Sequence, residues 1–206
     1  MSVTLVTAWG TGVSAHRVDE YLQAARIAID PDRVQLELDL TPGIALAETI
    51  LADIDRNRDG ALSSEEQRAY GSLVLDALTV DIDGTPVRVE LAAAGFPGAD
   101  EIRRGEGTVR LRLTAALPGL SSGVHHLRFR NRHHPDRSVY LANALVPASD
   151  RVSVTAQRRD GNQTELTIDY TLRAAPARPP AAWLLGGLVA ATALSALAIR
   201  PLRSLR

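Results

Sequence analysis

A period of two in hydrophobicity runs through most of this chain, and it restricts the chain largely to sheets. Val34, Leu36, Leu38 and Leu40 alternate with Gln35, Glu37 and Asp39, which sends one face of a strand into a core and the other into water. Val109, Leu111 and Leu113 do the same against Arg110 and Arg112, and Leu127 and Phe129 against Arg128, Arg130 and Arg132. Residues 17–29 and 34–40 read as strands, and residues 139–147 as a mostly apolar one. Leu78–Ile82 and 87–91 flank Asp83-Gly84, a two-residue hairpin signal. Val152, Val154 and Ala156 are expected to pair with Leu166, Ile168 and Tyr170 across Asp160-Gly161. About eight strands of this kind predict a mainly β fold, an antiparallel β-sandwich. With 45% hydrophobic and 23% charged residues, the chain can bury a core of that size.

One stretch changes period. Ala47, Ile50, Leu51 and Ile54 recur at helical spacing within 44–54, and Tyr70, Leu73, Val74 and Ala77 within a second helix from about 63 to 77. Between them, Asp55-Arg56-Asn57-Arg58-Asp59-Gly60-Ala61-Leu62-Ser63-Ser64-Glu65-Glu66 fits D-x-[DN]-x-[DN]-G-x5-E without a mismatch. Calcium is a hard cation that takes six to eight oxygens at ~2.3–2.6 Å, so a loop that binds it must bring many oxygens to one point. Asp55, Asn57 and Asp59 alternate so that their side chains can turn inward, and Gly60 permits the sharp turn. The Ala61 carbonyl, Ser63 through a water, and both oxygens of Glu66 complete the expected shell, while Leu62 anchors the loop to the core. Residues 47–77 resemble the EF-hand family, and the resemblance implies one bound calcium ion. EF-hands normally work in pairs, and only one is present, since Asp81-Ile82-Asp83-Gly84 lacks the later acidic ligand. Arg56 and Arg58 add positive charge, so the expected dissociation constant is on the order of 10⁻⁵ to 10⁻³ M. Met1 is the sole methionine, so a Met-rich groove of the sensor type is excluded and the calcium reads as structural.

The two ends point to a membrane. Residues 181–199 carry no charge, and nineteen residues at ~1.5 Å each span roughly 28 Å, close to the hydrocarbon thickness of a bilayer. Trp183 suits one interface, and Arg200, Arg203 and Arg206 place the other end in the cytoplasm. Val13-Ser14-Ala15 offers small residues for signal cleavage before His16, although the usual basic start is missing. The expected organisation is a signal-peptide remnant over 1–15 and an extracytoplasmic β-sandwich over 16–172, with the helix-loop-helix inserted at 44–78. A Pro-rich stalk over 173–180, a transmembrane helix over 181–199 and a cytoplasmic basic tail over 200–206 follow. The predicted location is the cell membrane, single-pass, with the N-terminal domain outside. A sorting tail removed during surface display is a competing reading of the C-terminus, but no recognised cleavage tripeptide is present.

Other chemistry is sparse. Cysteines are absent and the net charge is −1, so thiolate sites are excluded and nucleic acid is not an expected partner. No G-x-S-x-G elbow, P-loop, H-E-x-x-H or G-x-G-x-x-G occurs, and the chain reads as a non-enzyme. His126 and His134 could converge across a turn, and His16 with a freed amine could chelate copper or nickel; exposed polar positions are the plainer reading of His125, His126, His133 and His134. Ala-His-Arg-Val-Asp-Glu-Tyr-Leu-Gln at 15–23 and Phe129-Arg130-Asn131-Arg132-His133 resemble bacterial extracytoplasmic domains that accompany hydrogenase/urease-accessory-type and nickel/cobalt-type permeases. That resemblance implies, as an alternative, an accessory subunit of a transition-metal permease. The leading expectation is a membrane-anchored, calcium-binding binding or accessory module, whose partner is a membrane permease or a surface molecule.

Overall fold

The alternating pattern is realised residue by residue. In the computed structural model, which describes residues 19–176, Val34, Leu36, Leu38 and Leu40 are all buried while Gln35 and Glu37 between them face outward. The expected signal segment, His16, the apolar run 181–199 and the tail 200–206 lie outside the described residues. Among the described residues, no helix is long and apolar enough to cross a membrane.

The elements run β1 (Tyr21–Ile29), β2 (Arg33–Pro42), α1 (Ala47–Ile54), α2 (Ser64–Asp76), β3 (Leu78–Ile82), β4 (Thr85–Val87) and β5 (Glu90–Gly95). They continue with α3 (Ala99–Arg103), β6 (Val109–Ala116), β7 (Gly123–Asn131), β8 (Ser138–Ala144), β9 (Val152–Arg159) and β10 (Glu165–Leu172). They make two five-stranded sheets, ordered β5-β6-β2-β1-β8 and β4-β3-β7-β10-β9. Inward-facing residues of both sheets and of the three helices join one buried cluster, with Ile27, Leu40, Ile54, Ile102, Leu127 and Ile168 among its fully buried members. The fold is therefore mostly β, with sheets antiparallel in all but one pairing among the described residues, and few helices.

The structure departs from the sequence reading in particular places. β1 pairs with β8 in parallel, Tyr21 opposite Ser138 and Ile27 opposite Ala144, while the other pairings are antiparallel. The expected strand 87–91 is two pieces. β4 pairs with β3 over Asp83 (φ 52°) and Gly84 (φ 80°), the doubly positive turn expected of a tight hairpin, but the chain then crosses to the other sheet as β5. Residues 145–147 leave β8 as a loop, with Val146 93% exposed. On α2, Leu73 points to solvent and Leu75 packs against the core in its place.

Registers define two poles. Tyr21, Pro42 and Ser138 share one end of the first sheet, and Asn131, at the end of β7, reaches it through a 2.8 Å hydrogen bond from its Nδ2 to Gln23 Oε1. The helices α1 and α2 follow β2 from this pole. Ile29, Ala144 and Leu172 end their strands at the opposite pole.

Candidate metal centre

The two helices seat the 55–66 loop on the core. α1 buries Ala47, Ile50, Leu51 and Ile54, the i, i+3, i+4, i+7 face that its spacing predicts. α2 opens on a reciprocal cap. The Ser63 hydroxyl accepts from the Glu66 N–H, and the Glu66 carboxylate accepts from the Ser63 N–H at 3.0 Å and from its hydroxyl at 2.7 Å. Such a cap contributes about 1 kcal/mol to a helix start. Leu62 is half-buried against the core, as expected.

Inside the loop, side-chain oxygens are held by backbone N–H groups. Asp55, only 4% exposed, accepts from Asp59 N at 3.2 Å and from Gly60 N at 2.9 Å. Asn57 Oδ1 accepts from Asp59 N at 3.0 Å, and Asp59 Oδ1 accepts from Ala61 N at 2.8 Å. Glu66, 8% exposed, reaches back across the loop, its Oε1 accepting from Arg56 N at 2.9 Å and Asn57 N at 3.3 Å. The hydrogen bonds from Ser63, its hydroxyl foremost, hold the Glu66 carboxyl below its ordinary pKa, so it is ionised at neutral pH. Arg58 (φ 60°) and Gly60 (φ 81°) supply the two left-handed turns that fold the loop back.

Of the six expected ligands, Asp55, Asn57, Asp59, Ser63 and Glu66 are thus tied into one hydrogen-bonded loop, and Ala61 joins it through its N–H. Among the described residues, no three His, Asp or Glu side chains stand close enough together to hold an ion; the carboxylates turn to their own backbone instead. The donor set nevertheless fits a hard divalent cation. It is all oxygen, two of its carboxylates are buried, and among the described residues none of Asp55, Asp59 and Glu66 has an Arg or His partner within ion-pair distance. Backbone N–H groups and the Ser63 hydroxyl, rather than cationic side chains, hold these carboxylates. Arg56 and Arg58, next to them in sequence, are exposed.

Gly60 can be tested directly. Nothing lies within 4 Å of where a β-carbon would stand, so Gly60→Ala carries only the backbone cost of a left-handed residue. A loss of about 1–2 kcal/mol is expected in chemical denaturation without added metal.

The histidines separate. His126 pairs with Asp169 at 2.7 Å, and His134 Nε2 lies 3.1 Å from Asp53 Oδ2 without hydrogen-bond alignment, so the two do not converge. His125 is buried, its Nδ1 2.7 Å from Asp83 and its Nε2 2.8 Å from the Ser121 carbonyl. The Asp83 hydrogen bond raises its pKa. His133 is also buried, with its Nε2 3.1 Å from the Tyr70 hydroxyl and its ring 4.3 Å from that of His134. Burial first, then the neighbouring His134, pushes its pKa down to about 3.

Around His133 lies a buried polar network that sequence reasoning missed. Tyr21 and Tyr70 share a 2.6 Å hydroxyl contact. The His133 carbonyl accepts from Gln23 Nε2 at 2.7 Å and from Tyr140 at 2.8 Å, and its N–H donates to Asn131 Oδ1 at 2.9 Å. Tyr70 comes from α2, and Asp53, facing His134, from α1, so the network meets both helices that flank the loop. Tyr21 and Tyr70 occupy apolar-face positions in the sequence, where nothing local distinguishes a phenol in a network from a packed ring.

Arg103, Arg104 and Arg130 are matched by carboxylates. Arg103 bonds Asp100 at 2.8 Å and Glu48 at 3.1 Å, Arg104 bonds Glu106 at 2.8 Å, and Arg130 bonds Glu165 at 3.0 Å. No protein-family model matches the chain, and no curated protein matches it in sequence.

Proposed function

We propose that this chain is a membrane-anchored, extracytoplasmic β-sandwich that serves as a calcium-dependent binding or accessory module, with its 55–66 loop an EF-hand holding one structural calcium ion. The observation that carries the reading is the pair of buried carboxylates, Asp55 and Glu66, without a cationic partner among the described residues, inside a twelve-residue pattern whose every fixed position is an oxygen donor or the required glycine. A calcium ion would add a positive charge beside them. Asp55, Asn57, Asp59, the Ala61 carbonyl, Ser63 through water, and Glu66 would hold it. The ion then clamps α1 to α2 on one pole of the sheets. A structural role fits the surroundings, because both helices also meet the buried Tyr21–Tyr70–His133–His134 network, which resists opening.

The anchor reading rests on the uncharged run 181–199 and the arginines beyond it. Two measurements on the full chain in detergent or vesicles test the proposal. Calorimetry is expected to find one calcium site with a dissociation constant on the order of 10⁻⁵ to 10⁻³ M, and the chain is expected to float with vesicles in a density gradient. Absence of any calcium heat at millimolar concentration overturns the metal reading, and sedimentation away from vesicles overturns the anchor.

A further inference from the structure

The pole opposite the calcium loop carries the most exposed aliphatic side chains of the described residues. Val146 is 93% and Val124 65% exposed, with Leu145 at 40%. Single exposed aliphatics are ordinary, but these share one end. Val124 opposes Thr171 in β10, whose next residue, Leu172, opposes Val152, where the β8–β9 loop ends. Of the other exposed aliphatics, Ile44 and Leu73 belong to the α1–α2 side, and Leu141 stands in the middle of β8 opposite Ala24.

We propose that this pole is a lipid-docking face, with the 145–151 loop and Val124 seated in the headgroup region of the same bilayer that the 181–199 run enters. The inference rests on the anchor reading above and adds which surface of the domain meets the membrane. Three observations carry it. First, the loop is built to project its tip. Leu145 N–H donates to the Ile27 carbonyl at 2.8 Å, Val152 N–H to the Ser149 carbonyl at 3.1 Å, and Arg151 N–H to Ser149 Oγ at 3.3 Å, which leaves Val146 outside a fixed frame, just before Pro147. Second, the chain leaves the domain beside this loop. Arg173 N–H donates to the Arg151 carbonyl at 2.8 Å, and Arg151 Nε donates back to the Arg173 carbonyl at 3.1 Å. From there, residues 173–180 lead to the apolar run; eight residues reach at most ~29 Å, and three of them are proline. The last described residues of the domain thus stand at this pole rather than at the end that carries α1 and α2.

Third, two guanidinium groups stand beside the aliphatic tip. Arg151 and Arg173 flank the aliphatic tip, and neither has a carboxylate within ion-pair distance among the described residues. Of the acidic residues at this pole, Asp32 pairs with Arg33 at 3.2 Å, Asp83 lies 2.7 Å from His125, and Asp30 accepts from the neutral Gln35 at 2.8 Å. Asp150 is the one acid within the loop itself. Aliphatic side chains at headgroup depth, with guanidinium groups at phosphate level, are the usual pattern of interfacial binding.

The chain has no cysteine, so single labels report cleanly. Full chain carrying Val146→Cys, labelled with an environment-sensitive fluorophore, is reconstituted into phosphatidylcholine/phosphatidylglycerol vesicles and compared with Ser72→Cys on the exposed side of α2. Emission from position 146 is expected to shift to the blue and to be quenched several-fold more strongly by nitroxide-bearing lipid than emission from position 72. If the chain floats with the vesicles but position 146 stays as aqueous as position 72, docking is overturned while the anchor survives. If both positions are quenched alike, the assigned face is wrong. If the chain does not float, both readings fall.

Discussion

Removing the second carboxylate oxygen at the end of the loop is expected to abolish the stabilisation that calcium brings. With calcium at about a hundred times its dissociation constant, an ion that binds only the folded state stabilises that state by about 2.7 kcal/mol. In a chain of this size that corresponds to roughly 5–10 °C in Tm. The wild-type protein should therefore melt that much higher in calcium than in chelator, whereas Glu66→Gln should melt at the same temperature in both. Glu66 is the residue to change because it does two jobs: it would contribute both oxygens to the ion, and it already accepts from Arg56, Asn57 and Ser63. The variant also loses part of that loop bonding, so its Tm in chelator should lie below that of the wild type. The comparison that decides is the calcium-dependent difference within each protein. An equal rise in both would remove Glu66 from the site, and no rise in the wild type would remove the site.

Acid should unfold the domain sooner than its carboxylates alone would require, because of His133. Its pKa is about 3 in the folded state, where burial and His134 disfavour a charge, against about 6.5 in an unfolded chain. Above about pH 6.5 both states are neutral and His133 makes stability independent of pH. Between about 6.5 and 3 the unfolded state takes up a proton that the folded state does not. Stability then falls by about 1.4 kcal/mol per pH unit, or about 2.7 kcal/mol by pH 4.5. Glu66 and Asp169 have lowered pKa values, Glu66 chiefly through Ser63 and Asp169 chiefly through Arg158, so their contributions are lost only at lower pH, below the ordinary carboxylate range. Chemical denaturation at pH 7.5, 6.0, 5.0 and 4.5 separates the two windows. His133→Gln, less stable at pH 7.5 through disturbed bonding to Tyr70, should lose distinctly less stability than wild type on going from 7.5 to 4.5. Parallel decline of the two proteins would show that His133 titrates normally.

The parts of the fold that follow from local physics could be read in advance. The buried face of α1 is the four residues that its spacing names, because a helix of eight residues with one apolar stripe has one way to meet a core. The Asp83-Gly84 turn takes positive φ at both positions, as its residue types favour. The Ser63–Glu66 cap sits where a hydroxyl is followed three residues later by a carboxylate. Errors came where the outcome depended on distant partners. Residues 87–91 alternate acceptably for one strand, yet the chain changes sheets there, and only the position of β6 makes that worthwhile. Val146 belongs to an apolar run that reads as strand, but β8 ends at Ala144, so the run's last residues face solvent.

By itself, the sequence determined which residues alternate between core and water, where the two helices interrupt that alternation, and which oxygens a folded 55–66 loop would present, since all of these depend on residues within a few positions of one another. Only the tertiary structure decided that β1 and β8 run parallel, that His133 is buried among two tyrosines while His126 is not, and that the exposed valines gather at the pole where the chain departs. Each of these is set by contacts between residues up to more than a hundred positions apart, and hydrophobic periodicity carries no information about which distant strand or side chain will arrive opposite.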